Sequence, residues 1–146
     1  MGNRRKAREL ALHLLFQEDI THYTPEEIRE IFWTSNAADA ETREYADLIF
    51  TQAIENRSDI DALIRSHSQH WRLERMAVVD RNILRLAICE FLHTETPRVV
   101  IIDEAIEVAR KYSGDESTEF INGVLDAVKR DIENDRENRT GESEDR

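Results

Sequence analysis

Apolar residues recur every three or four positions along most of the chain, the spacing of one buried face of a helix. Ala7, Leu10, Ala11, Leu14 and Leu15 form such a stripe and predict a first helix over residues 3–19. Thr24 precedes Pro25, Glu26 and Glu27. A capping hydroxyl, a proline at the first helical position and early acids mark the start of a short second helix, running through Trp33. Tyr45, Leu48, Ile49, Gln52 and Ala53 place a third helix within residues 40–57. Ser58 is the expected cap of a fourth, whose stripe is Ile60, Leu63 and Ile64.

The second half is more apolar. Val79, Ile83, Leu86, Ala87 and Phe91 make one stripe, and Leu84, Ile88 and Leu92 widen it. A helix so broadly apolar is expected to be central, touched on several sides. The run Val99-Val100-Ile101-Ile102 has strand composition. It leads into Ala105, Ile106 and Ala109 at helical spacing, and a lone strand would have no partner, so it reads as helix. Gly114 sits where that helix should end, and Ser117 is expected to open a last helix carrying Ile121, Val124, Leu125, Val128 and Ile132. The fold class that results is all-α: a compact bundle of six or seven helices. Residues 1–130 form the helical domain. Residues 131–146 read as an acidic tail, a frayed helix end passing into disorder.

Four Gly and two Pro in 146 residues agree with long helices and short connections. No apolar run approaches the ~20 residues of a membrane span, and the charged N-terminus lacks a signal-type apolar stretch. A Met-Gly start raises myristoylation, but Lys6 stands where that motif wants Ser or Thr. The single Cys89 excludes an internal disulfide framework and suits a reducing compartment, so the expectation is cytoplasmic, without membrane contact. The net charge of −11, taken alone, argues against nucleic acid. Its distribution changes the picture. Arg4, Arg5, Lys6 and Arg8 crowd the first turns while the acids gather elsewhere, so one basic patch can stand on an acidic molecule.

No catalytic constellation emerges, and no cofactor is expected. Glu90-x-x-His93 is one quarter of a di-iron bundle site whose other ligands are missing. His67-x-x-His70 has no cysteine near it for a closed zinc site. There is neither a nucleophile elbow nor a glycine-rich phosphate loop. Three features remain. The arginine cluster is either a solvated face or a phosphate-binding one. Asn122-Gly123 inside an apolar helix pattern suggests close helix–helix packing, since an interior glycine costs about 1 kcal/mol against alanine. The polar stretch Ser113–Thr118 leads into Phe120, which serves either the core or base stacking.

These features occur in the order of a known family. RRKARELALHLLFQ, VVDRNILRLAICEFL and IDEAIEVARKYSGDESTEFINGVLD resemble the NusB family of bacterial transcription antitermination factors, over residues 4–128. The segment ending FINGVLD is the most specific part. The resemblance implies two packed helical subdomains divided near residue 70, and no enzymatic activity. It implies binding to the boxA element of nascent ribosomal RNA as a heterodimer with the ribosomal protein NusE, together with other Nus factors on RNA polymerase. Arg4, Arg5, Lys6 and Arg8 match the family's RNA-binding start. Glu116, Ser117 and Phe120 match its second RNA-contacting segment. Phe16 and Asp80 match an aromatic and an acidic position on the NusE-facing side, and Arg85 is placed between the two surfaces and counted with the RNA set. Glu116 stands where the family often has Asp.

The same fold forms the N-terminal domain of certain ribosomal RNA cytosine methyltransferases. A free-standing factor is expected here, because the chain carries no catalytic domain. The alternative from another class is a helical protein–protein adaptor that leaves the arginines idle.

Overall fold

Thr24 stands in extended backbone and its side-chain oxygen accepts the backbone N–H of Glu27, so the second helix is capped as its sequence predicts. The computed structural model describes residues 3–68 and 72–144, with side chains as far as residue 136. Among these residues there are seven α-helices and no strand. They are α1 (Asn3–Thr21), α2 (Pro25–Ser35), α3 (Ala40–Glu55), α4 (Arg57–His67), α5 (Val78–His93), α6 (Arg98–Tyr112) and α7 (Asp115–Glu144). A 3-10 turn, Leu73–Arg75, lies between α4 and α5.

The bundle is built around α5. Every residue from Asn82 to Phe91 is buried, and α1, α3, α4, α6 and α7 all pack against this helix. The fully enclosed side chains come from both halves of the chain: Leu14, Leu15, Ile28, Ile49, Phe50, Ile60 and Ile64 from the first, Leu84, Ile88, Ile101, Ile121 and Leu125 from the second. The helices before residue 69 and those after residue 71 are two halves of one continuous core. The apolar run at 99–102 opens α6: Val99 and Val100 face solvent while Ile101 and Ile102 are buried. Leu92 departs from its expected stripe and is 40% exposed.

Three local readings change. Ser58 lies within α4, which begins at Arg57 after Asn56. Asn56 closes α3 instead, with backbone N–H and side-chain amide both donating to the Gln52 carbonyl. Gly123 is not a point of close packing. A Cβ built there meets nothing within 4 Å and the residue is exposed, so an apolar pattern on either side of a glycine did not mark a helix crossing. α7 begins at Asp115, and its backbone stays helical through Glu144, past residue 131 where the frayed tail was expected. Pairs at helical spacing, Asp126–Arg130 at 2.7 Å and Lys129–Glu133 at 3.2 Å, lead up to that stretch, and Ile132 packs against the core at its start.

Candidate nucleic-acid interface

The first two turns of α1 divide their cations by burial. Arg4, Arg5 and Lys6 are exposed, whereas Arg8, beside Ala7 on the core side, is buried. Arg8 makes a two-bond pair with Glu90 of α5 at 2.8 and 2.9 Å, and the Tyr45 hydroxyl donates to the same carboxylate at 2.9 Å. Burial works against the Arg8 charge, but the Glu90 bonds outweigh it and the pKa is raised. Burial and the Glu90 charge push the Tyr45 phenol up to about 12. Arg8 was grouped with the RNA-binding cations. The structure gives it another partner: drawing it out would leave Glu90, 2% exposed, without its counter-ion.

Arg4 stacks its guanidinium 3.6 Å above the Tyr45 ring, an arrangement that the sequence did not signal. Arg5 pairs with Glu104 of α6 through two bonds of 2.9 and 3.0 Å but keeps 59% of its side chain exposed. The same bonds hold the Glu104 carboxyl below its usual range. Lys6 makes no ion pair among the described residues.

The start of α7 lies across α6 from these cations. Glu116 is exposed, and Phe120 is half-buried against the core, so its ring is shared between packing and the surface. Arg5, Glu104 and Arg110 line an open groove of ≈ 620 Å³ together with Thr118, Glu119 and Asn122. Of the two segments singled out in the sequence, the first brings Arg5 to this concave surface and the second brings Thr118, Glu119 and Asn122; Glu116, Ser117 and Phe120 themselves do not line it. Arg110 and Glu119 carry no sequence signal for this surface, and Asn122 drew notice only beside Gly123, as a packing feature, and within the FINGVLD motif. The lining is of both signs. Asp103, Glu104, Glu107 and Glu119 face Arg5 and Arg110, and Arg110 is paired with Glu107.

Arg85, also placed among the RNA-binding residues, is buried in a network of α1, α4 and α5. It donates to Asp61 at 2.9 and 3.1 Å, and to Asp19 and Asn82 at 3.1 Å each. Arg81 adds two bonds to Asp19 at 2.8 and 2.9 Å. Burial raises the Asp19 pKa, but its hydrogen bonds to Arg81 and Asn82 outweigh that and hold it below the usual carboxylate range. No guanidinium edge of Arg85 is left for RNA without dismantling this network. On α1, Phe16 is half-buried and stands outside the core cluster, with Ile20 one turn on and 51% exposed. Asp80 accepts hydroxyls from Ser113 and, at 2.9 Å, from Ser117. One residue expected on the partner side therefore touches one expected on the RNA side.

The alternative chemistries resolve into other contacts. Both Glu90 oxygens are occupied, and His67 Nε2 lies 2.9 Å from Asp131 of α7. His70 lies outside the described residues. Burial pushes the Cys89 thiol up to about 12, far from the range of a nucleophile.

The molecule is thus of the all-α bundle class, with an open polar groove formed by α1, α6 and α7. The comparisons with known proteins are specific. Residues 5–130 match the NusB family. The transcription antitermination protein NusB of Koribacter versatilis is 45% identical over 95% of this chain and 97% of its own. A chain in the crystal structure of antitermination factors NusB and NusE in complex with dsRNA superposes with a TM-score of 0.79 at 28% identity, covering 89% of this chain and 98% of that one. NusB of T. maritima superposes with a TM-score of 0.78 at 37% identity, covering 87% and 90%. The chain belongs to the NusB family.

Proposed function

We propose that this protein is a transcription antitermination factor that binds boxA RNA of nascent ribosomal RNA transcripts as a heterodimer with the ribosomal protein NusE. In this reading it acts without catalysis or cofactor, in the cytoplasm, alongside other Nus factors and RNA polymerase. The observation that carries the reading is the convergence of Arg5 with the start of α7 on one groove. Arg4, Arg5 and Lys6 supply phosphate contacts; Glu116, Ser117 and Phe120 open the helix whose Thr118, Glu119 and Asn122 form the second edge. Arg8 and Arg85 are held in buried ion pairs inside the bundle and serve the fold. The family's structure with NusE and dsRNA supports an RNA partner and a protein partner together.

The electrostatics say why two partners are needed. A chain of net charge −11, with carboxylates in the groove itself, repels RNA. A basic ribosomal protein seated beside it reverses the local field. Phe16 and Ile20 are the apolar contribution to that contact. The same acidic lining favours one other reading, a protein adaptor that never touches RNA.

A titration of boxA RNA with and without NusE separates the two. Tight, boxA-selective binding is expected only with NusE present. The Arg5→Ala/Lys6→Ala variant of the heterodimer should bind more weakly. Its salt dependence should also be shallower, by about 0.7 in slope for each phosphate no longer neutralised. A heterodimer that binds boxA no better than a scrambled RNA, or a variant with unchanged slope and affinity, would leave the adaptor reading.

A further inference from the structure

The turn from α6 into α7 is short and polar: Ser113, Gly114, Asp115 and Glu116 offer nothing apolar to the core. Its backbone is closed locally. Ser113 and Gly114 donate to the Ala109 carbonyl at 2.7 and 3.1 Å, and Gly114 takes φ = 144°, a conformation that favours glycine. These bonds end α6 but do not say in which direction α7 leaves. Among the described residues, the hydrogen bonds that tie side chains of residues 113–118 to another element both end on Asp80. One carboxylate holds the hydroxyl of Ser113, the residue that closes α6, and a hydroxyl in the first turn of α7. Asp80 itself belongs to the first turn of α5, the most enclosed helix of the bundle. Its charge therefore faces the N-terminal ends of two helices, where a negative charge is favoured.

Glu116, Phe120 and Asn122 share the first turns of α7 with Ser117. A helix is stiff over such a length, so the anchor at Ser117 sets where all three stand, and with them Thr118 and Glu119, which line the groove with Asn122 opposite Arg5. We propose that Asp80 is a positioning residue for the RNA face: it locks the start of α7 onto α5 so that both edges of the groove meet one RNA. This inference rests on the RNA-binding reading above. It gives Asp80 a task different from the NusE contact implied by resemblance, and it makes the Ser117 hydroxyl an anchor and not an RNA ligand.

The test uses the full chain, NusE at saturating concentration and boxA RNA. Asp80→Ala should weaken RNA binding by the heterodimer on the order of tenfold, the scale of hydrogen bonds to a charged group. NusE affinity should stay within about twofold, a split that a merely structural role would not produce. Ser113→Ala and Ser117→Ala should each weaken RNA binding, and neither should add to the loss already present in Asp80→Ala, as for residues acting as one unit. Asp80→Asn keeps an acceptor for one hydroxyl and should recover part of the affinity. The idea is overturned if Asp80→Ala loses NusE while the serine variants change nothing, which returns Asp80 to the protein interface. It is also overturned if Ser117→Ala costs as much with Asp80 absent as with it present, which makes Ser117 a direct contact. The serine variants keep the test decisive should Asp80→Ala fold poorly. A parent heterodimer that does not bind boxA fails earlier, at the functional reading itself; a parent that binds and an Asp80→Ala variant that binds equally well sinks this inference alone.

Discussion

Arg5 and Arg8 lie three residues apart on α1, and burial alone separates their tasks. Arg5 keeps most of its side chain in solvent; an exposed pair such as Arg5–Glu104 is worth about 0–1 kcal/mol and can be given up to a ligand. Arg8 is 9% exposed and its partner 2%. Removing one member of such a pair strands the other, at a cost of about 3–5 kcal/mol. Arg8→Ala should therefore lower the denaturation midpoint sharply, and Arg5→Ala should barely move it. Equal midpoints for the two variants would show that water reaches Glu90. The sequence made the cluster visible but not this division. Four cations within five residues look alike in a string, and only the position of Ala7 and Leu10 on the buried side hints that Arg8 turns inward with them.

At the scale of elements, the apolar stripes were legible because each helix buries one face, and Ala7 through Leu15, Ile60 with Ile64, and Ile121 through Val128 all lie where their spacing put them. What was not legible came from residues whose local preference has more than one outlet. Ser58 and Ser117 are good caps in isolation, yet Asn56 ends α3 just ahead of one, and Asp80 claims the hydroxyl of the other. Asp80 lies 37 residues from Ser117, so nothing in the local sequence announces that contact. Gly123 is the clearest misreading, since a glycine in an apolar pattern fits both a tight crossing and an open surface. The open surface makes a definite prediction for α7. Gly123→Ala adds a methyl group to free space and removes backbone freedom from the unfolded chain, so it should raise stability by up to about 1 kcal/mol. A melting temperature below that of the parent would show that the helix meets something at this position after all. Of the groove, Arg5 was legible as part of a basic cluster, whereas on α7 the motif pointed to Glu116, Ser117 and Phe120 and the lining falls to Thr118, Glu119 and Asn122. The groove floor on α6 was not legible, because Glu104 and Arg110 look like ordinary solvent-facing charges until α1 and α7 are brought against them.

Across the whole molecule, ion pairs join separate helices: α1 to α5 through Arg8–Glu90 and Asp19–Arg81, and α4 to α5 through Asp61–Arg85. This gives the fold an acid sensitivity of known sign. Asp19 has its pKa depressed in the folded state, so its contribution is fully present above the unfolded value of roughly 3.9. It fades as pH falls below that value and is gone once pH passes below the folded one. Denaturant titrations at pH 7 and pH 3 should show a steeper acid loss for the parent than for Asp19→Asn, and parallel losses would mean that the network does not depend on this charge. The position of α5 has a further consequence, one of kinetics. Five helices cover it, so no single helix can peel away and expose its backbone to water. In deuterium exchange, the amides of residues 82–91 should be the slowest in the chain, released together and only by opening of the entire bundle. The amides of α2, which packs chiefly on α1 and α3, should exchange through smaller openings and well ahead of them.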